Sequence, residues 1–224
     1  MSATPGQQRD RRPRRSARRR TLDHARRAEL LHAAESILLR EGFTAVTMDE
    51  LAQQLRCSKA TLYSVAATKE QLVLAVTRHF FATSTTEVEE ALAEEYDHRR
   101  RVSTYLEAVG NAMRRSSPAF YDDMVGYEPT ARIYHHNARA AAERVRNMID
   151  DGVRDGVFRE VDGTFAAQVV ALVIHAVQSG DLLDATGLSA GDAFSELGDL
   201  LLNGLSRPSV PDPAPGRGTR EPAP

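Results

Sequence analysis

The stretch TMDELAQQLRCSKATLYSVAATKEQL, residues 47–72, decides the fold of this chain. Thr47 is followed three residues later by Glu50, and Thr68 is followed in the same way by Gln71. This spacing is typical of the capping box, in which two side chains bond the backbone N–H groups at the start of a helix. Two helices therefore begin in this stretch, and the chain between them leaves room for only one further short helix.

A longer helix precedes this stretch. Its apolar residues recur at the helical spacing, and Gly42 follows as the residue that ends it. These apolar residues are Leu30, Leu31, Ala34, Ile37 and Leu38. Ser58 is the expected N-cap of the short helix. Three helices, the last two joined by a tight turn, predict a helix-turn-helix unit, whose second helix enters the major groove of DNA.

The chemistry of the short helix, SKATLY, fits that role. Ala60 is small enough for a close approach to DNA, and Lys59 and Thr61 can bond base edges or phosphates. Leu62 is expected to face the core, whereas Tyr63 is expected to send its hydroxyl to a backbone phosphate. The short helix is therefore the candidate recognition helix.

The starts of the flanking helices are also expected to meet DNA. Their N–H groups and the positive end of the helix dipole at Thr47 and Thr68 attract phosphate, and Lys69 adds a charge there. The residues predicted to contact DNA are Thr47, Arg56, Ser58, Lys59, Ala60, Thr61, Tyr63 and Lys69.

Residues 27–76 resemble the N-terminal domain of the TetR (tetracycline-repressor) family of bacterial regulators. The matching segments are AA in the first helix, E-GF after it, T-M-DELA, SK-TLY and T-KE-L, all in step. Further along, GVRDGVFR (residues 152–159) resembles a turn that many members have. The resemblance implies a homodimeric, ligand-responsive transcriptional regulator, usually a repressor. It also implies an inducer pocket in each subunit and dimer contacts through the last two long helices.

The resemblance assigns DNA contact to five positions and is broken at three others. The five matching residues are Thr47, Lys59, Thr61, Tyr63 and Lys69. Where the family commonly has an aromatic residue or His and then Phe, this chain has Val65 and Ala66, which implies that one phosphate contact is missing and that the helices pack less tightly. Arg56 replaces the usual turn glycine, at little expected cost if its φ is negative.

The formal net charge of −2 averages two unlike parts of the chain. Residues 1–78 hold 13 Arg and 2 Lys against 8 Asp and Glu, a net +7, and residues 79–224 have a net charge of −9. This asymmetry indicates that the basic part meets a polyanion, nucleic acid before a membrane surface. Eight arginines lie between residues 9 and 20. We hypothesise that this arm supplies the phosphate contact that Val65 cannot make; the alternative is a solvated segment that does not touch DNA.

The rest of the chain predicts helices and no strand of period 2. The predicted fold class is all-α, with an N-terminal three-helix helix-turn-helix DNA-binding domain and a larger helical effector and dimerisation domain. Six of the ten prolines lie between residues 208 and 224, where there is too little apolar surface to fold. The predicted division is a disordered Arg-rich arm (1–21), the DNA-binding domain or head (22–68), the ligand-binding and dimerisation domain or body (69–206), and a disordered tail (207–224).

Aromatic and methionine residues cluster in the body, where the alternatives are plain core and the lining of an apolar effector pocket. His175 stands in an apolar run and either anchors an effector or is a core or interface histidine. The predicted pocket residues are Tyr105, Met113, Phe120, Tyr121, Met124 and His175. The dimer interface is predicted to bury Val169, Val173, Val177, Phe194, Leu197, Leu201 and Leu205 in an intersubunit helical bundle.

Other classes of site find little support in the sequence. The one cysteine, Cys57, excludes a disulfide framework and is either a small buried residue or a redox-sensitive thiol. His135 and His136 point apart on a helix, so no metal site is expected, and no cofactor either. No phosphate loop or catalytic constellation is found, which argues against an enzyme. The apolar run at residues 169–174 is far shorter than the roughly 20 residues that span a bilayer, so no membrane and a cytoplasmic location are expected.

The expected partners are a double-stranded palindromic DNA operator, a second copy of the chain and a largely apolar small molecule. Effector binding is expected to swing the helix that starts at Lys69, so that two recognition helices no longer match half-sites roughly 34–36 Å apart. The alternatives are a body that only dimerises or docks a partner protein, and a cryptic enzyme.

Overall fold

The computed structural model describes residues 13–206, with the side chains of residues 26–189 and 192–206. Over this range the chain folds into ten helices and forms no named strand, so the predicted all-α class is confirmed. The helices are α1 (Pro13–Glu41), α2 (Met48–Gln54), α3 (Lys59–Val65), α4 (Lys69–Leu92), α5 (His98–Met113), α6 (Pro118–Gly126), α7 (Glu128–Arg154), α8 (Gly163–Gln178), α9 (Asp181–Thr186) and α10 (Ala190–Leu205).

The first helix begins at Pro13, inside the segment predicted to be disordered. Proline suits the first turn of a helix because that turn needs no N–H donor, and the Arg and Ala residues that follow are good helix formers. The prediction of a disordered arm over 1–21 is therefore wrong for residues 13–21. Its remainder, residues 1–12, and the predicted tail over 207–224 lie outside the described residues.

The helix starts of the head follow the caps in the sequence. Thr47 forms the full capping box: its Oγ1 accepts from the backbone N–H of Glu50 at 3.2 Å, and the Glu50 carboxylate accepts from the backbone N–H of Thr47 at 2.8 Å. Ser58 caps α3 by accepting from the backbone N–H of Thr61 at 3.1 Å. Local sequence therefore sets where α2 and α3 begin.

The capping box predicted at the start of α4 forms only in half. Thr68 Oγ1 accepts from the backbone N–H of Gln71 at 3.2 Å, as expected. The Gln71 side chain, however, accepts from the backbone N–H of Ala67 rather than from that of Thr68. The longer reach of Gln71 bonds the turn before the helix and still satisfies one donor there.

The described residues form two large hydrophobic cores and a small third cluster around Val177, Ala193 and Phe194. The head core joins α1–α4 to α6 and α7, and its largest fully buried side chains are Leu38, Leu51, Leu62, Leu72, Phe80 and Phe120. The body core joins the end of α4 to α5, α7, α8 and α10, with Leu106, Val145, Ile149 and Phe158 fully buried. Because α6 and α7 contribute to the head core, the boundary predicted between residues 68 and 69 does not separate two cores.

Four of the seven residues predicted to form the dimer interface are buried inside the single chain. Phe194 is only 3% exposed and packs on α5, where an added Cβ on Gly110 would lie 2.7 Å from its ring. Val177, Leu197 and Leu205 are also buried in the single chain. The prediction that these four residues lie between subunits is therefore not supported by the structure.

The apolar residues that α8 and α10 expose are not the ones that were predicted to form the interface. Phe165 is 68% exposed, Leu172 is 67% exposed and Leu200 is 71% exposed. Among the other predicted interface residues, Val169, Val173 and Leu201 are partly buried. Since α8 is apolar on nearly every side, its sequence pattern gives no inner face, and the packing of the chain decides which side remains exposed.

Candidate DNA interface and body cavity

The turn between α2 and α3 holds an unusual backbone conformation at Arg56. Its φ is +50°, in the left-handed region that favours glycine. Backbone N–H groups on both sides of the turn are bonded, Arg56 to Gln53 O at 3.1 Å and Cys57 to Ala52 O at 3.0 Å. The condition for a cheap replacement of glycine, a negative φ, is not met, so Arg56 stores strain of about 1–2 kcal/mol.

The short helix α3 turns a polar face outward. Lys59, Ala60 and Tyr63 are exposed, with Tyr63 at 46%, and Leu62 is 1% exposed beneath them. Thr61 is half-buried, and its hydroxyl shares a hydrogen bond of 2.7 Å with that of the cap Ser58. The structure thus brings the predicted recognition residues onto one surface, with two hydroxyls engaged in a local hydrogen bond.

Lys59 is held by an acidic neighbour. Its Nζ lies 2.5 Å from Oδ2 of Asp49, which is in the first turn of α2, and both side chains are more than 60% exposed. Such exposed pairs contribute about 0–1 kcal/mol to stability, so Lys59 can exchange this partner for a phosphate at little cost. Asp49 nevertheless adds negative charge to the surface that would meet DNA.

An arginine of α1 that sequence reasoning missed hydrogen-bonds the end of the candidate recognition helix. Arg27 in α1 donates through Nε to the backbone carbonyl of Ser64, near the end of α3, at 2.8 Å, and its second nitrogen contacts the same oxygen. This bond satisfies a carbonyl at the helix end, where the positive charge is also favoured by the helix dipole. A basic residue in α1 is too far along the sequence for spacing to pair it with α3.

The starts of α2 and α4 are capped rather than bare. At α2, hydrogen bonds from the backbone and the hydroxyl of Thr47 lower the pKa of the Glu50 carboxyl. At α4, Lys69 is half-buried, and its Nζ donates to the backbone carbonyl of Thr44 at 3.3 Å. Lys69, predicted to add a charge for phosphate at this helix start, therefore also ties α4 to the segment between α1 and α2.

The same segment is fastened from the body. Asp123 in α6 accepts through Oδ2 from the backbone N–H groups of Phe43 at 2.5 Å and Thr44 at 2.7 Å. Gly42, with φ +77°, lies so close that an added Cβ would stand 2.7 Å from that oxygen. One carboxylate of the body thereby fixes the turn that leads from α1 into the helix-turn-helix.

A cavity of about 250 Å³ lies in the body between α4, α5, α7 and α8. Its wall is mainly apolar, with Phe81, Val88, Val109, Val145, Val170 and Ile174 among the lining residues. The lining also includes the polar side chains of Glu89, Arg144 and Gln178. Arg144 donates to Glu89 at 2.7 Å, while neither Nε of Arg144 nor Oε1 of Gln178 has a hydrogen-bond partner among the described residues.

The six predicted pocket residues are not brought together around this cavity. Tyr105 and Met113 line it, whereas Phe120, Tyr121 and Met124 are packed in the head core and His175 is exposed on α8. The prediction fails for Phe120 and Met124 because an apolar cluster in sequence carries no sign of which helix covers it. The cavity residues that sequence reasoning missed lie on α4, α5, α7 and α8, and they include Arg144, Glu89 and Gln178.

Tyrosines connect the cavity wall to the neighbouring core. Tyr134 lines the cavity, and its ring packs edge-on against Tyr121, whose hydroxyl hydrogen-bonds His175 Nδ1. Burial raises the pKa of Tyr121 and of Tyr134, and it raises the pKa of Tyr105 to about 12. All three phenols therefore keep their protons at neutral pH and can act as hydrogen-bond donors.

One group of metal-binding residue types does come together, although the sequence predicts none. His32 and Glu35 of α1 meet His79 of α4, with possible ligand atoms within 4.8 Å of one another. The signal in the sequence was the spacing of three between His32 and Glu35, which places both on one helix face.

Two further predictions concern other kinds of site. Cys57 is half-buried against the head core. Among the described residues, no helix is long and apolar enough to cross a membrane.

Comparison with solved structures gives the same overall fold. A transcriptional regulator from Saccharomonospora viridis in complex with choline superposes with a TM-score of 0.71 at 18% identity, covering 81% of this chain and 98% of its own. The TetR family transcriptional regulator PfmR from Thermus thermophilus gives 0.61 at 22% identity, with 80% and 99% covered. AibR in complex with isovaleryl coenzyme A and operator DNA gives 0.60 at 17% identity, with 79% and 98% covered.

The sequence of the head identifies a family more specifically than the overall fold does. No curated protein sequence matches the chain. Residues 30–76, which contain α2, α3 and the contacts of Lys59 and Lys69, match the family described as bacterial regulatory proteins, tetR family. This match and the described helix-turn-helix geometry show that residues 30–76 form a domain of the tetR family of bacterial regulatory proteins.

Proposed function

We propose that the protein is a dimeric transcriptional repressor that leaves a palindromic operator when a small molecule enters the body cavity. The observation that supports this most is the double attachment of α6. On one side Asp123 holds the backbone of Phe43 and Thr44 in the head. On the other side Tyr121 packs against Tyr134, which lines the cavity. A helix fastened at both places can transmit a change in the cavity wall to the recognition unit.

The transmission is a shift between two arrangements of the head. An effector that displaces Tyr134 moves Tyr121, and with it α6 and the carboxylate of Asp123. The turn at Thr44 then shifts relative to Lys69, whose Nζ bonds the carbonyl of Thr44. The effector changes DNA affinity only by the difference between its affinities for the two arrangements.

The lining of the cavity indicates the chemistry of the effector. Most of the wall is apolar, so most of the molecule is apolar as well. Arg144 Nε calls for a hydrogen-bond acceptor and Gln178 Oε1 for a donor, and both are buried atoms that gain by being bonded. We infer an effector with an apolar body and two separate polar groups, an acceptor for Arg144 on α7 and a donor for Gln178 near the end of α8. The choline and isovaleryl coenzyme A of the two relatives are organic ligands of similar regulators.

The dimer is proposed to form through the exposed apolar face of α8 and α10. Phe165 and Leu172 are seven residues apart on α8, which sets them on one helix face two turns apart. Leu200 extends apolar exposure onto α10, which packs against α8. Exposed apolar side chains of this number on adjoining helices are typical of a subunit interface.

DNA binding is tested by selecting bound sequences from a random duplex library and measuring affinity for the selected site by fluorescence anisotropy. The double variant Lys59→Ala/Tyr63→Ala should lose sequence-specific affinity by at least about tenfold, because each good base or phosphate contact is worth about 1–3 kcal/mol. Arg132→Ala, which removes an equally exposed cation from α7, is the matched control and should bind as the unaltered protein does. Equal affinity of the double variant would contradict this DNA-binding surface.

The effector is tested by screening small molecules for thermal stabilisation and then for release of the selected DNA. Ala141→Leu adds bulk to the cavity wall and should abolish both effects while leaving DNA affinity unchanged. Ala131→Leu makes the same change on α7 away from the cavity and should preserve both. A ligand that stabilises the protein without releasing DNA would favour the alternative in which the body only dimerises or docks a partner.

A further inference from the structure

We propose that His32, Glu35 and His79 form a binding site for a divalent transition-metal ion of the zinc class, bridging α1 and α4. The three side chains converge although His79 is 44 residues from Glu35 in sequence. Imidazole nitrogen and carboxylate oxygen are the ligands that zinc, nickel and cobalt share. None of these three side chains lines the proposed effector cavity.

The position of Glu35 points to a cation. Its side chain is 4% exposed, and its only ion-pair partner among the described residues is His79, through Nδ1. A buried carboxylate requires a partner, and both an imidazole N–H and a metal ion can serve as one. A histidine bound to the carboxylate alone explains this pair but not the presence of the third side chain.

His32 is the residue that distinguishes a metal site from a simple ion pair. It lies one helical turn before Glu35, on the same face of α1, and its ring stands edge-on to that of His79 with centroids 6.2 Å apart. A tetrahedral ion with bonds of about 2.0–2.2 Å fits among these atoms once the direct contact between Glu35 and His79 Nδ1 opens to admit it and the exposed His32 side chain rotates toward it.

The three ligands leave one position open toward solvent. His32 is exposed and the side chain of His79 is 38% exposed, so water has access to the ion from that side. Two histidines and one glutamate with water as the fourth ligand form an established zinc arrangement. Because the ligands come from two helices, a bound ion stabilises the contact between α1 and α4.

The test uses the full chain without an affinity tag, freed of metal by chelation and titrated with Zn²⁺ alone in a calorimeter. We expect one ion per chain and a rise in the thermal unfolding temperature. His32→Ala should weaken Zn²⁺ binding by at least about tenfold, the lower end of what loss of even an outer partner of a metal site costs. Co²⁺ should give the visible absorption of a four-coordinate ion, and His32→Ala should lose it.

Two further variants keep the result interpretable. His136→Ala removes an exposed histidine from α7 and should bind Zn²⁺ as the unaltered chain does. Glu35→Gln keeps the size of the buried side chain but removes its charge, and it should lose the ion while retaining the helical circular dichroism spectrum. If the unaltered chain binds no Zn²⁺, or if His32→Ala binds it with unchanged affinity, the three residues are only an ion pair with a neighbouring histidine and the proposal is overturned.

Discussion

The carboxylate of Asp123 lies 2.7 Å from the backbone nitrogen of Thr44, although 79 residues separate them in sequence. This contact, together with the bond to the N–H of Phe43, fastens the helix-turn-helix to α6 of the body. This single side chain lies where the proposed DNA-binding unit meets α6 of the body, which is proposed to respond to an effector. Its removal is therefore the most direct way to separate DNA binding from the response to an effector.

Asp123→Ala is expected to uncouple the two tasks. The variant leaves two backbone donors without their acceptor, which costs about 1–3 kcal/mol of unfolding free energy. Specific DNA should still be bound, but a stabilising effector should release it less completely, as measured by anisotropy with and without the ligand. Asp122→Ala, at the neighbouring exposed position, is the control and should leave the response intact. A full response in Asp123→Ala would show that α6 does not transmit the signal.

Arg56→Gly is expected to stabilise the protein. The residue has φ +50°, and glycine adopts this conformation without the strain that a side chain brings, so unfolding should require about 1 kcal/mol more in denaturant titration. Gln53→Gly, in the helical part of α2, should instead destabilise by about 0.8–1 kcal/mol. If Arg56→Gly lowers stability, contacts of the arginine side chain outweigh the backbone strain.

Asp49→Asn is expected to tighten DNA binding. The substitution removes a negative charge from the surface of α2 and releases Lys59 from its ion pair, while the exposed position limits the loss of stability to about 0–1 kcal/mol. Affinity should rise on both specific and unrelated DNA, most strongly at low salt. Asp122→Asn in α6 serves as the charge control. Unchanged affinity would mean that Lys59 does not approach phosphate.

Deletion of residues 1–20 tests the hypothesis that the arginine-rich segment contacts DNA. Eight arginines are removed, and each phosphate that is no longer neutralised lowers the slope of log affinity against log salt by about 0.9. We expect the slope to fall by several units. Because α1 begins at Pro13, a deletion of residues 1–12 that preserves the helix is the companion variant. An unchanged slope in both deletions would mean that the segment does not touch the duplex.

Leu172→Glu combined with Leu200→Glu is expected to disrupt the proposed dimer. Both side chains are about two thirds exposed in the single chain, so the substitutions leave its own cores unaltered and place charges in the interface. Sedimentation velocity should report a monomer, and affinity for a palindromic site should fall steeply. Tyr96→Glu, at a residue that is 82% exposed after α4, should remain dimeric. A dimer that survives the double substitution would place the interface elsewhere.

The sequence by itself determined the local features of the head. The caps at Thr47 and Ser58 act within three residues of the helix starts that they define. Leu51 in α2 and Leu62 in α3 are each the buried apolar residue of a short, otherwise largely polar helix. Interactions between residues this close in sequence depend only on the local order of residue types, so they can be predicted without the fold. The helix starts of the head, the candidate recognition helix and most of the resemblance to the tetR family domain follow from that short stretch.

Only the tertiary structure decided which side chains from distant parts of the sequence contact one another. The positive φ of Arg56, the bond of Lys69 to Thr44, and the burial of Phe194 against Gly110 depend on neighbours that no local pattern specifies. The same holds for Asp123 on the head and for His79 beside Glu35, because packing alone determines which helix covers which. An apolar helix such as α8 satisfies several packings equally well, so its exposed face becomes known only once the whole chain has folded.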